Sequence, residues 1–157
     1  MVNASRKHLE EFKQFCKING RKNLKLKIDV PTCWNSAYAM IERAVFLRDP
    51  VNTFTRNTGN LVNLTLSNKE WNQAEILLSI LLPFKLVSDQ LEQTKRPVIE
   101  CIFWSYETMF NQIDIIEPKL RRGREPWLKE LQKSVLAMMK KLKDYYARTV
   151  EAWMYSD

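Results

Sequence analysis

Apolar residues recur along most of this chain at spacings of three and four, the period that lines one face of an α-helix. Residues 3–18 place Leu9, Phe12 and Cys16 on one stripe with Phe15 beside it, and Gly20 offers a helix stop. The period changes from Arg21 to Thr32, where Leu24, Leu26 and Ile28 alternate with lysines. That alternation predicts a short extended segment near 24–28 with one buried edge, ended by Pro31. A helix follows from about Trp34 to Leu47, with Trp34, Ala37, Tyr38, Ile41, Ala44 and Val45 along one face and Thr32 in reach of its free amides. Asp49-Pro50 marks a break, a short helical piece runs to Thr55, and Arg56 to Asn60 has the composition of a surface turn.

Ser67-Asn-Lys-Glu70 is a capping box, in which each end satisfies a backbone donor of the other. It opens a long helix over about 68–93. Apolar residues fill most of its circumference from Ala74 to Val87, so it is expected to be the central, most buried helix, kinked at Pro83. The next helix spans about 97–117, with Pro97 in its first turn and Pro118 closing it. Its stripe is Ile99, Ile102, Phe103, Tyr106, Phe110 and Ile113. Lys119 to Glu125 is then a basic connector, and a last helix of about 125–151 carries Leu128, Leu131, Val135, Met138, Leu142 and Tyr145 on one face. Trp71, Trp104, Trp127 and Trp153 fall within these helices and are expected to pack between them. With no internal repeat and little β signal, the fold class is all-α. The chain reads as a bundle of about five helices forming one domain over 1–157, with residues 1–33 as lead-in and 34–157 as the bundle.

At 157 residues, 45% hydrophobic and 27% charged with only 3 Gly, the chain has the makeup of a folded domain. Its greasiest run, Ile76 to Val87, falls short of the roughly 18 apolar residues that span a bilayer, so no membrane partner is expected. The first residues lack the apolar stretch of a secretion signal, which makes an intracellular, reduced setting the expectation. Cys16, Cys33 and Cys101 are odd in number and far apart, and His8 is the single histidine, so neither a disulfide framework nor a zinc site is expected.

Charge gives the first hint of a partner. The chain carries net +7, yet residues 1–28 hold net +6 and residues 119–143 net +7, leaving −6 for the rest. The commoner meaning of such blocks is solvated helix faces. The sharper one is phosphate contact, by Lys22, Lys25 and Lys27 in the first block and Arg121, Arg122 and Arg124 in the second. Catalytic patterns are absent: there is no Gly-rich phosphate loop, no His-Glu-x-x-His and no Gly-x-Ser-x-Gly. His8 beside Arg6 and Lys7 reads as exposed and idle, and Cys33 has no neighbouring base. The carboxylates are scattered along helix faces. Neither a cofactor nor a small-molecule substrate is expected.

One segment is more specific. From Ile28 to Ala44 the chain reads Ile-Asp-Val-Pro-Thr-Cys-Trp-Asn-Ser-Ala-Tyr-Ala-Met-Ile-Glu-Arg-Ala. Asp29, Val30, Thr32, Trp34, Asn35, Ser36, Tyr38, Met40, Glu42, Arg43 and Ala44 match a pattern that runs Asp-Val-x-Thr-Arg-Trp-Asn-Ser-Thr-Tyr and on into a helix. In this the chain resembles the hAT superfamily of transposases. Glu70-Trp71 leading to Leu81 and Phe84, then Arg96-Pro97, then Lys141 to Tyr146 follow in that family's order.

The resemblance implies the helical insertion that interrupts an RNase-H-like core before its last catalytic carboxylate. It therefore implies a catalytically incomplete fragment of a nuclear DNA transposase. No residue maps to the two Asp and one Glu that hold metal ions in that core, and Asp29 is not one of them. It also implies a DNA-binding role for Trp34, which in the family stacks on a flipped base beside the cut. Stacking of this kind is worth about 1–3 kcal/mol. Cys33 stands where the family has Arg, which removes a phosphate-directed cation. The expected function is weak, sequence-independent DNA binding without enzymatic activity. The alternative is a helical protein-interaction or oligomerisation module. Self-association is expected if apolar surface lies uncovered, above all on the first helix and at 24–28.

Overall fold

The computed structural model describes residues 6–21, 24–31, 33–93 and 99–155, with the side chains of Trp34 and Ile99 outside that description. The elements run α1 (Arg6–Ile18), α2 (Trp34–Phe46), α3 (Arg48–Asn57), a 3-10 helix η1 (Gly59–Leu64), α4 (Asn68–Gln93), α5 (Ile99–Arg122) and α6 (Pro126–Met154). The all-α class holds, and the described residues contain no strand. Among the described residues seven helices stand where the pattern predicts about five. The predicted fragment before Thr55 is a ten-residue helix, α3, and the turn composition of 56–60 leads directly into η1. Contacts within the chain divide it into two compact units, Met1–Leu81 and Leu82–Asp157.

In the first unit, α1 ends on a glycine cap. Gly20 takes φ +64°. Its N–H donates to the Lys17 carbonyl at 3.0 Å, and the Arg21 N–H donates to Cys16 at 2.9 Å, the paired bonds that satisfy a helix's last carbonyls. Phe12 and Cys16 of α1 then bury against Leu47, Phe54 and Leu61, and Phe54 meets Phe12 edge-on at 5.6 Å. Burial of a side chain of this size contributes about 1.5–3 kcal/mol. So α1 is docked, not left uncovered as expected. His8, expected to be idle, lies half-buried and edge-on to Phe54 at 6.0 Å. Leu24 and Leu26 pack on the same core along irregular backbone, whereas Ile28 stays 69% exposed.

The start of α4 is fastened by polar contacts. The Ser67 N–H donates to Glu70 Oε2 at 2.8 Å, and the Glu70 N–H donates back to Ser67 Oγ at 3.3 Å, completing the predicted capping box. Trp71 is buried, and its indole N–H donates to Asn52 Oδ1 of α3 at 3.0 Å. Arg48 lies over the Trp71 ring and donates to Asn68 Oδ1 at 3.0 Å. Beyond this anchor α4 departs from expectation. Trp71, Ile80, Pro83 and Val87 are buried, but Leu82, Leu86 and Leu91 are exposed. Among the described residues the close helix pairings are α1 with α3, α2 with α3, α3 with η1 and α5 with α6, and α4 is in none of them. An apolar circumference did not make it the central helix.

The second unit is built on α5 and α6. Its buried seam is Ser105, Met109, Ile113, Ile116 and Leu120 on α5 with Val135 and Leu142 on α6. The predicted α5 stripe is therefore displaced: Phe103, Tyr106 and Phe110 are half-buried on its flank. Ser105 is tolerated in the seam because its hydroxyl donates to the Cys101 carbonyl of its own helix at 2.6 Å. Of the tryptophans expected to pack between helices, Trp104 is instead exposed, whereas Trp153, though half-exposed, meets Phe103 of α5 edge-on at 6.0 Å. Pro118 does not close α5, which runs one further turn to Arg122. Leu120, buried in the seam, repays the hydrogen bond that Pro118 removes. The turn comes at Gly123, where a Cβ would run into the Leu128 side chain.

Candidate nucleic-acid interface

The segment that carries the transposase-like motif folds around one hydroxyl. Ser36 Oγ accepts the Val30 N–H at 2.7 Å and lies 2.7 Å from Asp29 Oδ1, 2.7 Å from the Cys33 carbonyl and 3.0 Å from the Val30 carbonyl. A serine has one proton to give, so these acceptors share it. The Cys33 N–H donates to Val30 at 2.8 Å and the Ser36 N–H to Cys33 at 2.9 Å, which closes the turn on which α2 begins. Asp29 thus acts as a strut for that turn. Cys33 is the exposed N-cap residue, with no side-chain bond to the helix.

Trp34 occupies the first position of α2, directly on this braced turn. Its side chain lies outside the described residues, as do Lys22 and the predicted cap Thr32. Lys25 and Lys27 are described and exposed, and Arg43 Nη1 donates to the Lys25 carbonyl at 3.2 Å, tying the lead-in to α2. Arg21 lies over the Phe46 ring at 5.0 Å.

The second basic group sits in the other unit. Arg121 and Arg122 belong to the last turn of α5 and not to a connector, and Arg124 lies in the loop that follows. Cations are favoured at that end of a helix by its dipole. All three are exposed. No ion pair among the described residues engages Lys25, Lys27, Arg121, Arg122 or Arg124.

Titratable groups elsewhere are occupied structurally. Burial pushes the Cys16 thiol up, away from reactivity. The bonds from Ser67 hold the Glu70 carboxyl below its ordinary value. Among the described residues no three His, Cys, Asp or Glu side chains come together as a metal-holding group, and no helix is long and apolar enough to cross a membrane. In the sequence Asp29 and Ser36 stand only as motif letters. Their spacing of seven across a proline turn was the available signal for the clasp.

Residues 1–80 match the family model described as the ZBED1 RNase-like helical domain, and the match stops within one residue of the first unit's boundary. A curated relative, "Putative transcriptional regulator tpeD" of Talaromyces stipitatus, is 35% identical over 92 residues, 59% of this chain and 11% of the relative. The matched part is therefore about a tenth of that relative's length. No solved structure matches the chain.

Proposed function

The chain belongs to the ZBED1 RNase-like helical domain family, and from that premise we propose a transposase-derived domain that binds DNA weakly and without sequence preference. In this reading the hAT-like segment from Asp29 to Ala44 descends from a DNA transposase, and the chain performs no strand chemistry of its own. It works without a metal, a cofactor or a small-molecule substrate. The observation that carries the reading is the set of exposed, ion-pair-free cations: Lys25 and Lys27 in one unit, Arg121, Arg122 and Arg124 in the other. Phosphates release counterions when such side chains contact them. Trp34, held at the start of α2, stacks on unpaired bases, and Cys33 adds no cation beside it. The setting is the nucleus, in keeping with the regulator's name carried by the fungal relative.

Anisotropy of a labelled duplex at several salt concentrations tests this. Affinity should fall with a slope of roughly −0.9 per phosphate neutralised, and changing Arg121, Arg122 and Arg124 to Ala should flatten it by up to about three units. Binding indifferent to salt would overturn the reading. Incubation with Mn²⁺ and hairpin DNA should leave the DNA intact; cleavage lost on changing one Asp or Glu would refute the absence of chemistry.

A second reading, an oligomerisation module, is favoured by one observation. Ile18, Ile28, Val30 and Phe46 of the first unit are all about half or more exposed. Sedimentation across a concentration series should then show reversible self-association that Ile28→Ser weakens. A monomer at every concentration would rule it out.

A further inference from the structure

The second unit holds a groove of about 640 Å³ that the DNA-binding reading leaves unused. Its volume falls within the range of ligand sites, about 300–1,000 Å³. Six of its residues come from one face of α5: Glu100, Phe103, Trp104, Glu107, Phe110 and Asn111, at helical spacing. Tyr146 of α6 closes it, standing edge-on to Phe103 and to Phe110 at 5.9 Å each. Trp104 is 43% exposed, so a large aromatic side chain faces water without serving the core.

The lining carries two carboxylates and no Lys or Arg, in a chain of net +7. Neither Glu100 nor Glu107 is in an ion pair with a described residue. Seven residues of helix put them about 10 Å apart along the axis, with Phe103 and Trp104 between. Aromatic faces attract cations through their quadrupole, and Trp does so best. Flanking carboxylates add to that attraction and repel phosphate, which favours a basic ligand over nucleic acid on this face. We infer that the groove binds a basic segment of a partner protein, with a Lys or Arg side chain over Trp104 and Phe103 between the two carboxylates. Charge complementarity selects a basic occupant, and docking of a second copy through its own exposed Lys and Arg side chains is an outcome that the test below separates from it.

The test uses the full chain and a labelled ten-residue Lys/Arg-rich peptide, beside the same peptide with Gln at every basic position. The basic peptide should bind and the Gln peptide should not. In the unmutated chain, amide resonance shifts on adding the basic peptide should centre on residues 100–110 and 146. Glu100→Gln with Glu107→Gln should weaken binding about ten-fold, and Trp104→Ala about three- to ten-fold. Circular dichroism should be unchanged, because all three side chains are exposed. Duplex DNA affinity should stay level or rise in the double variant, which separates this inference from the DNA reading. Equal weakening by Glu42→Gln, a distant exposed carboxylate, would show a net-charge effect and overturn the proposal. So would shifts centred elsewhere, or self-association abolished by the double variant with no peptide binding.

Discussion

The first unit assembles its core from residues far apart in sequence, whereas the second lays two long helices along one seam. Phe12 meets Leu47, Phe54 and Leu61 in a unit where a glycine cap, a serine clasp and an Asn52 to Trp71 bond turn or tie the chain at particular places. The α5–α6 pair needs little more than an apolar period, as Met109, Ile113, Ile116 and Leu120 supply it. Many sequences meet the second requirement and few meet the first. The family match covers residues 1–80, within the unit with the more demanding core. The looser requirement leaves a face of the second unit free to carry Trp104 in water.

Core truncation should expose the contrast most strongly. Phe54→Ala is expected to lose about 3–5 kcal/mol in urea melts, and Ile113→Ala to fall near the lower end of about 2–5 kcal/mol, because its seam is bordered by solvent and can relax. Equal losses would break the comparison. Gly20→Ala comes next. Nothing crowds a Cβ there, so the left-handed φ alone should cost about 1–2 kcal/mol, and Gly20→Asn should recover part of it. Ser36→Ala removes the clasp at a net loss of about 0.5–1.5 kcal/mol, with faster hydrogen exchange at the amides of Val30 and Cys33. Normal protection there would show that the turn stands without its hydroxyl.

The smallest effect is a pH dependence. Glu70, held below its ordinary 4.5 by the Ser67 amide and hydroxyl, stabilises the fold above that value and loses its effect as pH falls through the lowered pKa. The stability difference between the wild type and Glu70→Gln should therefore shrink between neutral pH and about pH 3. A difference constant across that range would remove the capping box from the account.

Devices that act within a few residues were legible in the sequence. The Ser67 box and the bounds of α4, the Gly20 stop and the start of α2 at Trp34 follow from local rules. What escaped depended on partners. Pro118 reads as a helix end until burial of Leu120 outweighs it. The α5 seam could not be told from its aromatic flank, since Phe103, Tyr106 and Phe110 have the period of a core stripe and more apolar surface than Ser105. The division after Leu81 falls inside α4, where the helical period is unbroken and carries no mark of it. Of the candidate interface, the motif letters and the charge blocks were readable, and the role of Ser36 in bracing the turn before α2 was not.

The measurement closest to the central claim compares the salt dependence of duplex binding in three proteins. These are the wild type, a chain with Lys22, Lys25 and Lys27 changed to Ala, and a chain with Arg121, Arg122 and Arg124 changed to Ala. If cations of both units reach phosphate, log affinity falls linearly with log salt, and each triple change flattens the slope by up to about three units. One slope common to all three proteins would contradict the account, because both basic groups would then be solvated surface and nothing more.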